Sequence, residues 1–582
     1  QYPSLPTPSP PPPSARRRPG RCLPVGRERP PWCCSGLARM RIFVNNFDSY
    51  VGKALCADLR NAYGQDNRLF GTLSTGTPDN PQAAELIKSL GIKRVFSRAD
   101  QEGFLADVLS CSLVVYDLHS ASVEEVEMMI KHLKVAKIEH ETTFVLVSSV
   151  GVWARTKKEY VPVDGEDEEP ADEEGGEKEV KKRPRELGDA ELDRRVPLPA
   201  MEAWKYLETL ALSLSQSREK LRPHVVAAGV LYGNGEETFN ELFKAAWLTQ
   251  ATHEILYPGE NFIPCVHVRD VARLVKVVAT DSSVGRYLVA VDRSRLTQSQ
   301  IVHGIVKQIS NPRDIPVVPV ADSKSQFKDI MTMDLIMEPS APMKSKNFQW
   351  WCKEGLVVNL EKVAEEFIKW RNLRPIKMII MGPPGSGAER YGDLVSERYM
   401  HEDPPHYTFE QILQDAMATR PALRAKVERL AAKPGAKLPL KRRTELVRKR
   451  LLSNVCRYRG YVLRGYPESH EEAEALFTEL VPAEGEEEEP PAEEEEEVEG
   501  EEDEEEAPPP PAEDDEEDEE GKPKTRIAER VVPEFVVALH SKPDVCKARI
   551  FDGLAQGPRT EDEFRLKFAA YNKANHAEDG SP

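Results

Sequence analysis

The residues Met378-Ile379-Ile380-Met381-Gly382-Pro383-Pro384-Gly385-Ser386-Gly387-Ala388-Glu389 carry the clearest chemical signal in this 582-residue chain. The short apolar run 378–381 predicts a buried strand. A Gly/Pro turn follows it, and then a helical pattern over 388–400. Strand, glycine loop and helix in that order form a phosphate-binding loop, in which glycines let backbone N–H groups close around phosphate oxygens at a helix N-terminus. Gly382 and Gly387 keep the spacing G-x-x-x-x-G-K-[ST]. The next two positions break it. Ala388 stands where a lysine would reach the terminal phosphates, and Glu389 where a hydroxyl would hold Mg²⁺. The backbone part of the device is retained and its charged part is replaced.

A second chemical stretch, Gly460-Tyr461-Val462-Leu463-Arg464-Gly465-Tyr466-Pro467-Glu468, reads as another strand ending in a turn. It follows a basic helical region over 424–450. A further strand is expected over 534–539, and a last helix to about 575. Such a parallel sheet ordinarily has one more strand, so the chain is expected to be truncated at its C-terminal side. Ahead of the loop, short apolar runs at 41–45, 112–116, 143–147, 224–228 and 287–291 alternate with helical spacing over 51–63, 123–133, 200–214, 238–249 and 268–280. That alternation predicts a doubly wound parallel sheet. The fold class expected is therefore α/β, with two parallel-sheet domains. Residues 40–345 form the first, 346–375 a helical connector anchored by Trp350, Trp351 and Trp370, and 376–582 the second.

The bulk charge is concentrated in one place. Of the −19 net charge, 25 acidic residues and no basic ones lie between Glu484 and Glu520, and setting them aside turns the −19 into +6. Residues 482–525 are thus expected to be a disordered, self-repelling insert, and the charge argues against nucleic acid as the main partner. A second acidic loop is expected over 164–186. Residues 1–39 form a Pro/Arg-rich leader with no apolar period, expected to be disordered, and a natural start at Met40 is one reading of it. The nine cysteines include no C-x-x-C pair and suit a reducing cytosol. No apolar run approaches the ~20 residues that span a bilayer, and no membrane partner is expected.

The pairing of Gly382-Pro383-Pro384-Gly385-Ser386-Gly387 with Gly460-Tyr461-Val462-Leu463-x-Gly465-Tyr466-Pro467 resembles the adenylate kinase family. In the front half, residues 147–153, 229–233 and 267–272 resemble signatures of extended short-chain dehydrogenases. A dehydrogenase-like Rossmann domain ahead of a P-loop domain with an acidic insert resembles the multi-domain, cilium-associated members of that kinase family. The resemblance implies reversible phosphoryl transfer from ATP to AMP, with Mg²⁺, in the cytoplasm of a cilium or flagellum and beside axonemal proteins. It implies nucleotide contacts at Gly382, Pro383, Pro384, Gly385, Ser386, Gly387, Gly465, Tyr466 and Pro467. Arg559 and Arg565 are its candidate phosphate contacts, within a lid-like segment over 547–573.

Carried over position by position, the catalytic set is eroded. The family's loop lysine and metal-associated acid stand here as Ala388 and Arg464, and the arginine after the signature proline as Glu468. Over 406–411, His-Tyr-Thr-Phe-Glu-Gln replaces the monophosphate-binding pattern, and Gln414 replaces its arginine. No metal site is expected. Glu389 sits where a helix dipole favours an anion, and the resemblance sets Arg464 beside it. An ion pair between the two, an Arg464 that replaces the lysine as phosphate ligand, and a merely solvated Glu389 are three readings left open. In the front half only Gly52 survives of the dinucleotide fingerprint, Ser148 stands at a strand end, and Lys205 lacks its catalytic tyrosine, replaced by Met201. These three mark a vestigial site, and NAD(P) is not expected to bind. The function expected is an adenylate kinase with weak or lost activity; the alternative is a non-catalytic axonemal scaffold or nucleotide sensor.

Overall fold

The computed structural model describes residues 40–60, 68–75, 78–162, 182–216, 219–250, 252–310, 314–399, 406–431, 438–480, 525–554, 558 and 560–574. The leader, most of the acidic loop, most of the polyacidic insert and Arg559 lie outside them.

The front half is a seven-stranded sheet in the order 287–290, 221–228, 142–149, 113–117, 41–44, 68–71, 92–95, all neighbours parallel. Alternate residues of one strand serve opposite cores. Phe144 and Leu146 enter one apolar cluster, and Val145 and Val147 the other. Burial on both faces explains the unbroken apolar runs. Two further strands, Arg68–Gly71 and Ile92–Val95, escape the sequence pattern because they are four residues long and the outer one exposes Lys93 and Arg94.

The rear half is a four-stranded parallel sheet. Its order is His406–Thr408, Gly460–Arg464, Ile376–Met381, Phe535–Ala538. Phe535–Ala538 is an edge strand, and Phe535 and Val536 are exposed. Two boundaries expected from the sequence are corrected. Lys182–Pro184 pairs antiparallel with Tyr160–Pro162, so the acidic loop springs from a short ribbon rather than running to 186. Thr525–Ile527 likewise pairs with Thr478–Leu480, at the two ends of the polyacidic insert.

The connector is helical only over Leu360–Trp370, where buried Leu360, Val363, Ala364 and Phe367 repeat at helical spacing. Before it, Asp270 accepts from the Trp351 and Cys352 backbone N–H groups at 2.6 and 3.0 Å, tying an irregular segment to the front half. Trp351 lies under Lys362 and Arg269. Trp370, read from the sequence as a core or interface anchor, is 44% exposed and lies against Gly235 and under Lys53 of the front half, an interface position rather than a core one.

The helix Asn454–Arg459 joins the halves. Arg457 spans Glu361 and Glu365 at 2.6 and 2.8 Å, Trp247 donates to the Tyr458 carbonyl at 3.3 Å, and Gln308 donates to the Tyr458 hydroxyl at 2.9 Å. The helix runs directly into the strand Gly460–Arg464. Gly460 has φ 84°, and an added Cβ would lie 2.2 Å from the Ile376 carbonyl oxygen, so that junction requires glycine.

Candidate nucleotide site at the glycine loop

The strand Ile376–Met381 delivers the loop to the C-terminal edge of the rear sheet, and the helix Ala388–Tyr399 leaves from it. Inside the loop the Ser386 N–H donates to the Pro383 carbonyl at 2.9 Å, and Gly385 and Gly387 take φ values of 80° and 98°. Left-handed backbone at two positions in three is what turns successive N–H groups into one concavity. Ser386 Oγ is buried with no hydrogen-bond partner among the described residues. The hydroxyl sits against Gly382, where an added Cβ would lie 2.4 Å from it. Gly385 and Gly387 are thus the positions of this loop where the backbone takes a left-handed conformation.

The charges around it are the chain's own. Arg464, at the end of the neighbouring strand, is in register with Ile380 on one side and Thr408 on the other. Its Nη2 lies 3.6 Å from Glu389 Oε1, with the two side chains 28% and 30% exposed. Of the three readings of Glu389, the ion pair is the one present. At this exposure it is worth no more than about 1 kcal/mol, so its consequence is where it puts charge rather than how much it stabilises. A guanidinium stands where a Mg²⁺ site needs carboxylate or hydroxyl oxygen, and the nearby carboxylate is committed to it. These residues do not fit Mg²⁺.

A second cation comes from the helix Pro543–Phe551, part of which the sequence reading placed in a lid-like segment without singling out its arginine. Arg549 Nη1 donates to the Ser386 carbonyl at 3.0 Å. An added Cβ on Gly385 would lie 2.5 Å from the Cys546 carbonyl oxygen, so loop and helix are in direct backbone contact. Cys546 and Ile550 mark the buried face, and Arg549, three residues after Cys546, falls beside it; that spacing was the available signal.

Other predicted positions go elsewhere. Arg565 is 74% exposed, and its ion partner is Glu561 at 3.8 Å. Tyr466 is buried, stacks on Phe409 at 5.6 Å and shares a 3.0 Å hydrogen bond with Thr444, so its side chain packs the core. Gly465 takes φ 70° with open space around it, and Pro467 follows in the same turn. Gln411 forms a reciprocal cap with Thr408 at 3.0 and 3.2 Å. Glu468 lies 3.9 Å from Arg443, on the side of the turn where Glu472 accepts from its N–H.

The front crevice, at the topological switch between strands 41–44 and 113–117, is filled. Arg98 Nη2 donates to Asn46 Oδ1, Thr72 Oγ1 and Asn45 Oδ1 at 2.7, 3.0 and 3.2 Å, and Nη1 to the Leu73 carbonyl at 2.6 Å. Gly52, the surviving fingerprint glycine, serves internal packing: an added Cβ would lie 2.3 Å from the Asn46 carbonyl oxygen. Lys205 Nζ donates to the Arg195 carbonyl at 2.7 Å, Ser148 is fully buried, and Ser149 accepts from the Gly151 N–H at 3.1 Å. The set does not fit a dinucleotide. A His119–Asp117 pair at 2.7 Å sits at the same edge, unflagged by the sequence reading. Burial opposes its charge, but the Asp117 carboxylate outweighs that and leaves His119 raised from its ordinary pKa.

No family model matches the chain. It is similar to adenylate kinase 7 of Mus musculus, 25% identical over 412 residues covering 64% of this chain and 63% of the relative. Adenylate kinase 7 of Macaca fascicularis is 26% identical over 308 residues, 47% of this chain and 57% of that relative. An adenylate kinase of Fervidobacterium nodosum is 33% identical over 101 residues, 17% of this chain and 44% of that enzyme. The chain is thus similar to two adenylate kinase 7 proteins and spans only about three fifths of their lengths. Among solved structures it is similar to a human epimerase family protein with NADPH (18% identity, TM-score 0.37, 56% of this chain and 99% of that one). A Thermotoga maritima UDP-glucose 4-epimerase with UDP-glucose is comparable (14%, 0.40, 57% and 99%).

Proposed function

We propose that this chain is a nucleotide-binding protein on an adenylate kinase scaffold in which phosphoryl transfer between ATP and AMP is strongly attenuated. The adenylate kinase relatives support nucleoside monophosphate kinase function at the level of the family. The single observation that carries the attenuation is the Glu389–Arg464 pair at 3.6 Å beside an intact cradle. Transfer of a phosphoryl group depends on positioned positive charge and a metal at the β- and γ-oxygens. Ala388 supplies none, and Glu389 with Arg464 leaves no oxygen set for Mg²⁺. Each such loss costs on the order of 3–4 kcal/mol of transition-state stabilisation.

What remains suits binding. The backbone N–H groups of Gly382, Gly385 and Gly387, with Arg549 and with Arg464 still paired to Glu389, form a cup for phosphate oxygens that needs no metal. A nucleotide sensor or scaffold therefore follows from the same residues. The resemblance extends this to a cilium or flagellum, with axonemal proteins as partners; co-sedimentation with isolated axonemes tests that part.

The test of the main reading is ADP formation by the full chain with ATP, AMP and Mg²⁺, run beside the Fervidobacterium nodosum enzyme. A rate at least about a thousandfold lower is expected, with ATP still bound at equal affinity with and without Mg²⁺. Comparable rates would overturn it.

A further inference from the structure

Between the halves lies a cavity of about 720 Å³, within the range that small-molecule sites occupy. It is separate from the glycine loop. Glu397 lines it, nine residues into the helix that starts at Ala388, or about 13 Å along the axis from the loop. Trp247 and Phe367 supply an aromatic wall, and Phe367 is held from behind by Phe243 at 5.3 Å. Two cations share the cavity. Lys244 is exposed and makes no ion pair among the described residues, and Arg371 is oriented by its hydrogen bond to Asn240 Oδ1.

We propose that this cavity binds a heteroaromatic phosphate of the size of a nucleoside monophosphate. Its ring lies against Trp247 and Phe367, its phosphate reaches Lys244 and Arg371, and Glu397 accepts from ring amino or sugar hydroxyl groups. Flat aromatic surface beside positioned donors gives orientation, and two cations against one carboxylate leave a net positive charge for one anion. Trp247 also donates to the Tyr458 carbonyl, so the ligand touches the contact that holds the halves together. Occupancy therefore reports on their docking, independently of anything bound at the glycine loop.

The probes are AMP, adenosine and inorganic phosphate, titrated calorimetrically into the full chain, its Lys244→Glu and Arg371→Gln variants, and an Arg549→Gln variant at the glycine loop. The expected result is AMP binding weakened at least about tenfold by Lys244→Glu and by Arg371→Gln, and unchanged by Arg549→Gln. Adenosine and phosphate alone bind more weakly than AMP. Melting curves of the variants without ligand separate a lost contact from a lost fold: Lys244 is exposed and unpaired, so its variant melts with the parent. No AMP binding by the parent, AMP binding lost only in the Arg549→Gln variant, or adenosine bound as tightly as AMP would each overturn the proposal.

Discussion

The two parallel-sheet halves of this chain differ in what lies at the C-terminal ends of their central strands. In the front half the crevice is occupied: one guanidinium, Arg98, donates to side-chain oxygens of Asn45, Asn46, Thr72 and Glu125 and to the Leu73 carbonyl. In the rear half Gly385 and Gly387 take left-handed conformations, Ser386 Oγ has no partner among the described residues, and Glu389 pairs with Arg464 beside the loop. A filled site contributes to stability and resists reversal, because emptying it strands buried polar groups. A partly exposed ion pair such as Glu389–Arg464 contributes little to stability. Stability effects should therefore concentrate in front and activity effects behind.

The largest stability effect expected is for Arg98→Met, which strands the acceptors at Asn45, Asn46 and Thr72 and should cost about 3 kcal/mol in urea unfolding of the full chain. If that variant instead gains NAD binding at no cost in stability, the crevice is merely plugged and the contrast between the halves weakens. Next is Gly385→Ala. Its Cβ meets the Cys546 carbonyl oxygen at 2.5 Å on a φ of 80°, and it should destabilise by about 2 kcal/mol and loosen the helix Pro543–Phe551, read by amide exchange.

A pH dependence sharpens the same division. Glu236, buried in the front half with Oε2 unpartnered, is pushed up to about 8, chiefly by burial. The folded chain holds a proton there that the unfolded chain releases near its ordinary value of 4.5. The resulting stability is present in full below 4.5 and is lost as pH rises through about 8. Asp292, pushed up to about 7 by burial, acts in the same direction. Melting temperature should fall between pH 5 and 8, and Glu236→Gln should flatten that slope by about 1 kcal/mol. An unchanged slope in the variant removes Glu236 from the account. The smallest effect is for Glu389→Ala, which breaks a half-exposed pair and should change stability by less than about 1 kcal/mol.

How much of this was legible in the sequence depended on the range of the interaction. Runs such as Thr142–Ser149 announce themselves because a strand buried on both faces is apolar throughout. The glycine loop was legible because its φ values demand glycine at fixed spacing. The pairing of Glu389 with Arg464 could be reached only because a parallel register sets the strand Gly460–Arg464 beside the loop strand. Arg98 carried no local sign and Arg549 only its spacing from Cys546: each acts on residues brought to it by topology, 26 and 163 positions away in the cases of Thr72 and Ser386. The two-stranded ribbons at the acidic segments were hidden for a different reason, since three-residue strands leave too few alternations to read.

The central claim, that the rear site kept its shape and changed its charges, meets its most direct test in the triple substitution Ala388→Lys, Glu389→Ser and Arg464→Asp. Assayed for ADP formation with ATP, AMP and Mg²⁺, the variant should exceed the parent chain by at least about a hundredfold, from a fold that melts at the same temperature. A parent chain already as fast as its adenylate kinase relatives, or a well-folded variant with no gain, would contradict it.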